Sequence, residues 1–206
     1  MQHASSKRLF EYWNTVRNGR LAPDRFEIEP VDLADVLPDV FILECPDIST
    51  YRFRLAGTRI CTALGHELRG SNLLDYWTGE EREAIHSLLH NVAKDGAGAC
   101  MKFEGINADR ERAVFEMLVL PLLHKCRAVN RMFGTIATLT RPYWTGTVEL
   151  RRWKLTDFDL IWPDKTHPVT AGLEQVAVLA DTKRNFAGEP GRRFRVLEGG
   201  LSRRSE

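Results

Sequence analysis

Residues 39–70 read DVFILECPDISTYRFRLAGTRICTALGHELRG, and this stretch decides the fold class. Two apolar segments flank a polar turn, Cys45-Pro46-Asp47-Ile48-Ser49-Thr50. The second segment, residues 51–57, alternates in character. Tyr51, Phe53 and Leu55 are therefore expected on one face of a strand, and Arg52 and Arg54 on the other. The first segment, residues 40–44, is apolar on both faces up to Glu44, which predicts cover on both sides. A short helix over residues 58–64 follows and stops at Gly65. A hairpin that runs directly into short helices is an α+β pattern.

Outward from the hairpin, residues 71–77 allow another helical turn with Leu73, Leu74 and Trp77 on its apolar side. Thr78-Gly79-Glu80-Glu81 has the spacing of a capping box and predicts the start of a helix over residues 79–94, with Ile85, Leu88, Leu89 and Val92 buried. Strands are predicted over residues 97–106, 112–123 and 131–141. Upstream, Leu9, Phe10, Trp13 and Val16 recur at helical spacing over residues 7–18, with Ser6 as cap and Gly19 as stop. Five strands, with helices between the second and third, imply one antiparallel sheet covered on one face by helices. Past Pro142 the periodicity weakens. The chain divides into an N-terminal helix and connection (1–36), a central domain (37–142) and a C-terminal extension (143–206), partly irregular, with an isolated strand possible in composition only over residues 192–200.

Composition narrows the function classes. A net charge of +1 leaves no global field for nucleic acid or membrane. The longest apolar run, residues 117–123, is too short to span a bilayer and contains Pro121. No signal peptide is recognised, so a cytoplasmic location is expected. Cys45, Cys61, Cys100 and Cys126 form no C-x-x-C pair and sit in apolar surroundings, as buried reduced thiols do.

The stretch from Tyr51 to Trp77 resembles the core of a PAS domain, through the helix-ending glycine and the Leu-x-Gly turn in Gly65-His66-Glu67-Leu68-Arg69-Gly70. Residues 10–142 also resemble a family of stand-alone bacterial PAS proteins, the MopJ-like group. The residues that carry this are Tyr12-Trp13, Leu37-Pro38-Asp39-Val40-Phe41-Ile42-Leu43-Glu44, Phe53-Arg54-Leu55-Ala56-Gly57-Thr58 and Leu68-Arg69-Gly70. The resemblance implies a PAS fold with sheet order 2-1-5-4-3. It also implies a sensor or regulatory module in signal transduction, without its own output domain, acting by binding a small ligand, a partner protein or both. A pocket between sheet and helices is then expected from Phe53, Leu55, Leu64, Leu74, Ile85, Leu89, Phe103, Met117 and Ile136. Leu9, Phe10 and Trp13 are the residues expected to dock a second copy in a homodimer or another partner.

Cofactor chemistry is narrowed residue by residue. Light-sensing PAS domains carry Gly-x-Asn-Cys where this chain has Gly70-Ser71-Asn72-Leu73, so a flavin–cysteinyl adduct has no thiol. His86 and His90 point away from the buried stripe of their helix, which disfavours haem and leaves a metal clip without a third ligand. No phosphate loop, G-x-S-x-G or H-E-x-x-H motif is present, and no enzyme activity is expected. The alternative is a cone-shaped NTF2-like enzyme, with Asp39 as base and Tyr51 beside it in an apolar pocket. Arg52 and Arg54 could meet an anionic ligand, although such residues more often protect an edge. The basic tail, Lys183 to Arg204, lacks an aromatic platform for nucleic acid.

Overall fold

Ile48 and Ser49 close the hairpin between β1 (Val40–Asp47) and β2 (Thr50–Ala56). The Asp47 carboxylate accepts from the Ser49 amide at 2.8 Å and from its hydroxyl at 2.9 Å, a side-chain turn that fixes the reversal. This is seen in a computed structural model of the protein, which describes residues 1–125 and 128–163. Cys126 and the expectations for the tail past residue 163 lie outside the described residues.

The remaining strands are β3 (Gly98–Ile106), β4 (Arg112–Leu123), β5 (Val129–Thr138) and β6 (Arg152–Ile161). All neighbours are antiparallel, in the order β2-β1-β5-β4-β3-β6. The order 2-1-5-4-3 is the one the resemblance implies, and a sixth strand from beyond Pro142 is added at the β3 edge. Its apolar residues read 153, 155, 158, 160, which breaks simple alternation. The structure resolves this with a bulge: Phe103 pairs with Leu155 and Lys102 with Asp157, leaving Thr156 extra. Trp153, Leu155, Phe158 and Leu160 then all join the same core.

That core lies on the front face of the sheet, under α2 (Thr58–Leu64), the 3-10 turn Leu73–Tyr76 and α3 (Gly79–Asp95). The α3 stripe of Ile85, Leu88, Leu89 and Val92 is buried as its spacing predicts. The capping box is not formed: Gly79 opens the helix at φ 55°, and the Thr78 side chain makes no cap bond. Gly57, at the mouth of α2, is required by close approach, because a Cβ there would sit 2.2 Å from the Pro38 carbonyl oxygen.

The back face is covered by α1 (Ala4–Arg17). Leu9 and Trp13 pack there with Leu118, Leu120 and Leu122 of β4 and Phe133 of β5. The helix begins three residues before the expected start: His3, rather than Ser6, caps it by accepting from the Ser5 amide. Ser6 is buried instead and bonds Thr135 at 3.1 Å. β4 is thus covered on both faces, which explains its unbroken apolar run.

Candidate functional site

The space between sheet and front helices is filled by aromatic side chains. Trp153 lies between Tyr76 (ring centroids 4.3 Å apart) and Phe103 (4.5 Å), with Trp77 edge-on at 5.6 Å. Phe103 stacks in turn on Phe115 at 5.1 Å. Such contacts add to burial through the ring quadrupoles. Eight of the nine expected lining residues, Phe53, Leu64, Leu74, Ile85, Leu89, Phe103, Met117 and Ile136, are buried in this one core. Leu55 is a correction. It is 44% exposed and cannot line this layer. Leu43 pairs with Phe53 and Ile42 with Leu55, so Arg54 is bulged out and the alternation reverses after it.

At the rim, the Tyr76 hydroxyl donates to Ser71 Oγ at 3.0 Å and meets His66 Nε2 at 3.1 Å. Burial raises the Tyr76 hydroxyl pKa. Leu73, at the place of the photoactive thiol, is fully buried. His86 lies off the buried stripe, half-exposed, and makes one contact that the spacing did not predict. Its Nε2 donates to the Ile48 carbonyl at 2.7 Å and its ring packs on Tyr51, so it staples α3 to the hairpin turn. Among the described residues no group of three or more His, Cys, Asp or Glu is placed to hold a metal. Burial pushes the Cys45 and Cys100 thiols up to about 12, the opposite of activation.

The back face holds two buried carboxylates, and both grip α1. Asp39 is 1% exposed; its Oδ2 accepts from Ser5 Oγ at 2.6 Å and from Arg59 Nη1 at 2.5 Å. Glu116, fully buried on β4, accepts from the Gln2 amide at 2.6 Å and the His3 amide at 3.0 Å. A carboxylate at free amides of a helix start is favoured by hydrogen bonding and by the helix dipole together. Further along α1, Trp13 Nε1 donates to the Pro121 carbonyl at 2.8 Å. Asp39 is therefore engaged in a clamp, rather than standing free at the bottom of an open cone. Leu9 and Trp13 are wholly buried against the sheet of the same chain, which corrects their place on a docking surface; Phe10 remains half-buried beside them. Glu116 went unnoticed in the sequence. Its signal was a lone carboxylate inside the apolar run Val114-Phe115-Glu116-Met117-Leu118.

Sheet order and front-face helices together define a PAS-type α+β domain and set aside the cone-shaped alternative fold. A family profile described as a PAS domain matches residues 1–137, and the chain belongs to this family. No curated protein matches. Among solved structures the chain is similar to a light-oxygen-voltage domain studied with a flavin analogue, at 15% identity, covering 54% of this chain and 84% of that chain, with a TM-score of 0.42. It is similar to the Rhodobacter sphaeroides light-oxygen-voltage protein at 12% identity, covering 75% and 77%, with a TM-score of 0.41. An RNA-binding light-oxygen-voltage receptor is 16% identical, with 81% of this chain and 41% of that chain covered and a TM-score of 0.42. Among the described residues no helix is long and apolar enough to cross a membrane.

Proposed function

We propose that this chain is a sensory and regulatory PAS module of signal transduction that acts by binding a small ligand or a partner protein, in the cytoplasm, with α1 as the element that carries the response. The observation behind this reading is how α1 is held. Its first turn hangs on Asp39 and Glu116. Freeing it would strip hydrogen bonds from buried carboxylates, which is costly unless both the helix and its clamp move together. A ligand that binds the released form of α1 better than the held one would shift the population toward it. The filled aromatic layer means that a ligand entering between sheet and helices must displace Trp153 or Phe103, and that displacement would be felt across β3 and β4. A second copy of the chain is among the partners this reading allows.

Native mass spectrometry of the full chain purified from cells, together with light scattering, tests it. A retained small molecule, a stable dimer or a co-purified protein is the expected outcome. A bare monomer that captures neither ligand nor partner under mild crosslinking would sink the binding role.

A further inference from the structure

α1 packs over β4 and β5, and the β1–β2 end of the back face is left outside it. There a cleft of about 550 Å³ opens between the turn at Arg25, the outer rows of β1 and β2, and the turn at Glu67–Arg69. Its volume falls in the range of small-molecule sites, ~300–1,000 Å³. Ile42 and Leu55, paired across the two strands, give it an apolar floor. The bulge at Arg54 is what turns Leu55 to this side.

Four guanidinium groups line it: Arg25, Arg54, Arg69 and Arg131. Arg131 is held by Glu44 at 2.7 Å, and Arg54 stands 3.9 Å from the same carboxylate. Glu67 is turned back to its own loop, where it accepts from the Arg69 amide at 3.1 Å. The side chains of Arg25 and Arg69 have no ion-pair or hydrogen-bond partner among the described residues. One carboxylate, Glu67, lines the cleft beside four guanidinium groups, with Glu44 pairing Arg131 next to it. His124, its ring against Phe26, also lines the cleft, and its Nδ1 is shut off from solvent and unpartnered among the described residues. Guanidinium groups without a carboxylate partner, lining one cleft, mark a place short of an acceptor.

We propose that this cleft binds a small organic anion, a phosphate or carboxylate head on an apolar or aromatic body. Arg25 and Arg69 take the head, and the Ile42–Leu55 floor takes the body. The planar guanidinium fork matches both head groups. This deepens the ligand-binding reading above and rests on it, while placing the ligand on the face of the sheet opposite the aromatic core.

The test is an amide-resolved NMR titration of the full chain with phenyl phosphate, using benzyl alcohol as the uncharged control. Saturating shifts at Ile42, Leu55 and Arg69 are expected. Affinity should fall about tenfold or more in the double variant Arg25→Ala/Arg69→Ala, whose melting temperature should stay that of the parent, because each lost fork removes a charge-assisted contact. Leu55→Asp should weaken binding as well, by setting a carboxylate beside the head group. Shifts that are absent from the cleft, equal in the double variant, or matched by benzyl alcohol overturn the proposal. Should native mass spectrometry find a retained molecule whose shifts fall on Phe103 and Trp153 instead, the cleft is wrong and the binding role stands. A protein that retains no molecule, captures no partner or second copy, and does not respond to phenyl phosphate loses both.

Discussion

The two faces of the sheet are built on different principles. The front face is a continuous aromatic and aliphatic core in which Trp153, from the last strand, is stacked between residues of the front turn and of β3. Its cohesion is dispersion and apolar burial, spread over many contacts. The back face is held by α1 and by the connection after it (Ile28, Leu33, Val36), through a smaller cluster and a few strong polar contacts at Glu116, Asp39 and Pro121. Burial without polar groups resists gradual loosening everywhere. A polar clamp holds firmly until it opens and then releases a whole element. The front face thus stabilises the domain, and the back face holds α1, the element proposed above to carry the response.

Trp153→Ala should have the largest effect. It removes a side chain that is 1% exposed and leaves a cavity at the centre of the stack, which costs about 3–5 kcal/mol. Chemical denaturation should show one cooperative transition at a lower midpoint, with every probe shifted alike. A loss under about 1 kcal/mol would mean that β6 is an appendage and that the front face ends at β3.

How much of this contrast the sequence carried depends on the local pattern. The strand expected over 112–123 is found as Arg112–Leu123, and the stripe of α3 is buried as read, because each has an unbroken period. Two bulges defeated the same reasoning. At Arg54 the extra residue sends Leu55 to the back face, and at Thr156 it breaks the alternation that would mark β6. A bulge is a property of two paired strands, so one strand alone does not reveal it. The clamp on α1 is equally non-local: Gln2 and Glu116 are 114 residues apart. What local reading offered was the anomaly of Glu116 in an apolar strand, without its partners. The four arginines of the cleft come from four separate segments, and of these only Arg54 stands in a pattern that suggests anion contact.

Glu116→Ala comes next in size. The amides of Gln2 and His3 lose their acceptor in a part-buried place, a cost of about 1–3 kcal/mol. The contrast between faces makes this loss local. Hydrogen exchange should accelerate through the first turns of α1 while the amides of β3, β4 and α3 keep their protection. Uniform acceleration over all elements would show that α1 and the front core open as one unit, and the distinction between a stabilising and a movable face would collapse.

Glu44→Gln should have the smallest effect on stability and bears on the cleft directly. Its hydrogen bond to Arg131 holds the Glu44 carboxyl below its ordinary range, with the charges of Arg131, Arg54 and Arg52 adding to this. A lowered pKa means that the folded state favours the ionised form. The stabilisation is therefore present above the ordinary glutamate value, about 4.3, and is lost as pH falls through the lower folded value. Because the pair sits near the surface, the variant should lose no more than about 1 kcal/mol at neutral pH. Thermal melts of parent and variant should converge as the pH drops below the carboxylate range; a gap that persists there would mean packing rather than charge. At neutral pH the same substitution removes the carboxylate that competes for Arg131 and Arg54. Phenyl phosphate should then bind the variant more tightly than the parent, so that a change which slightly weakens the back face strengthens its claim on an anion.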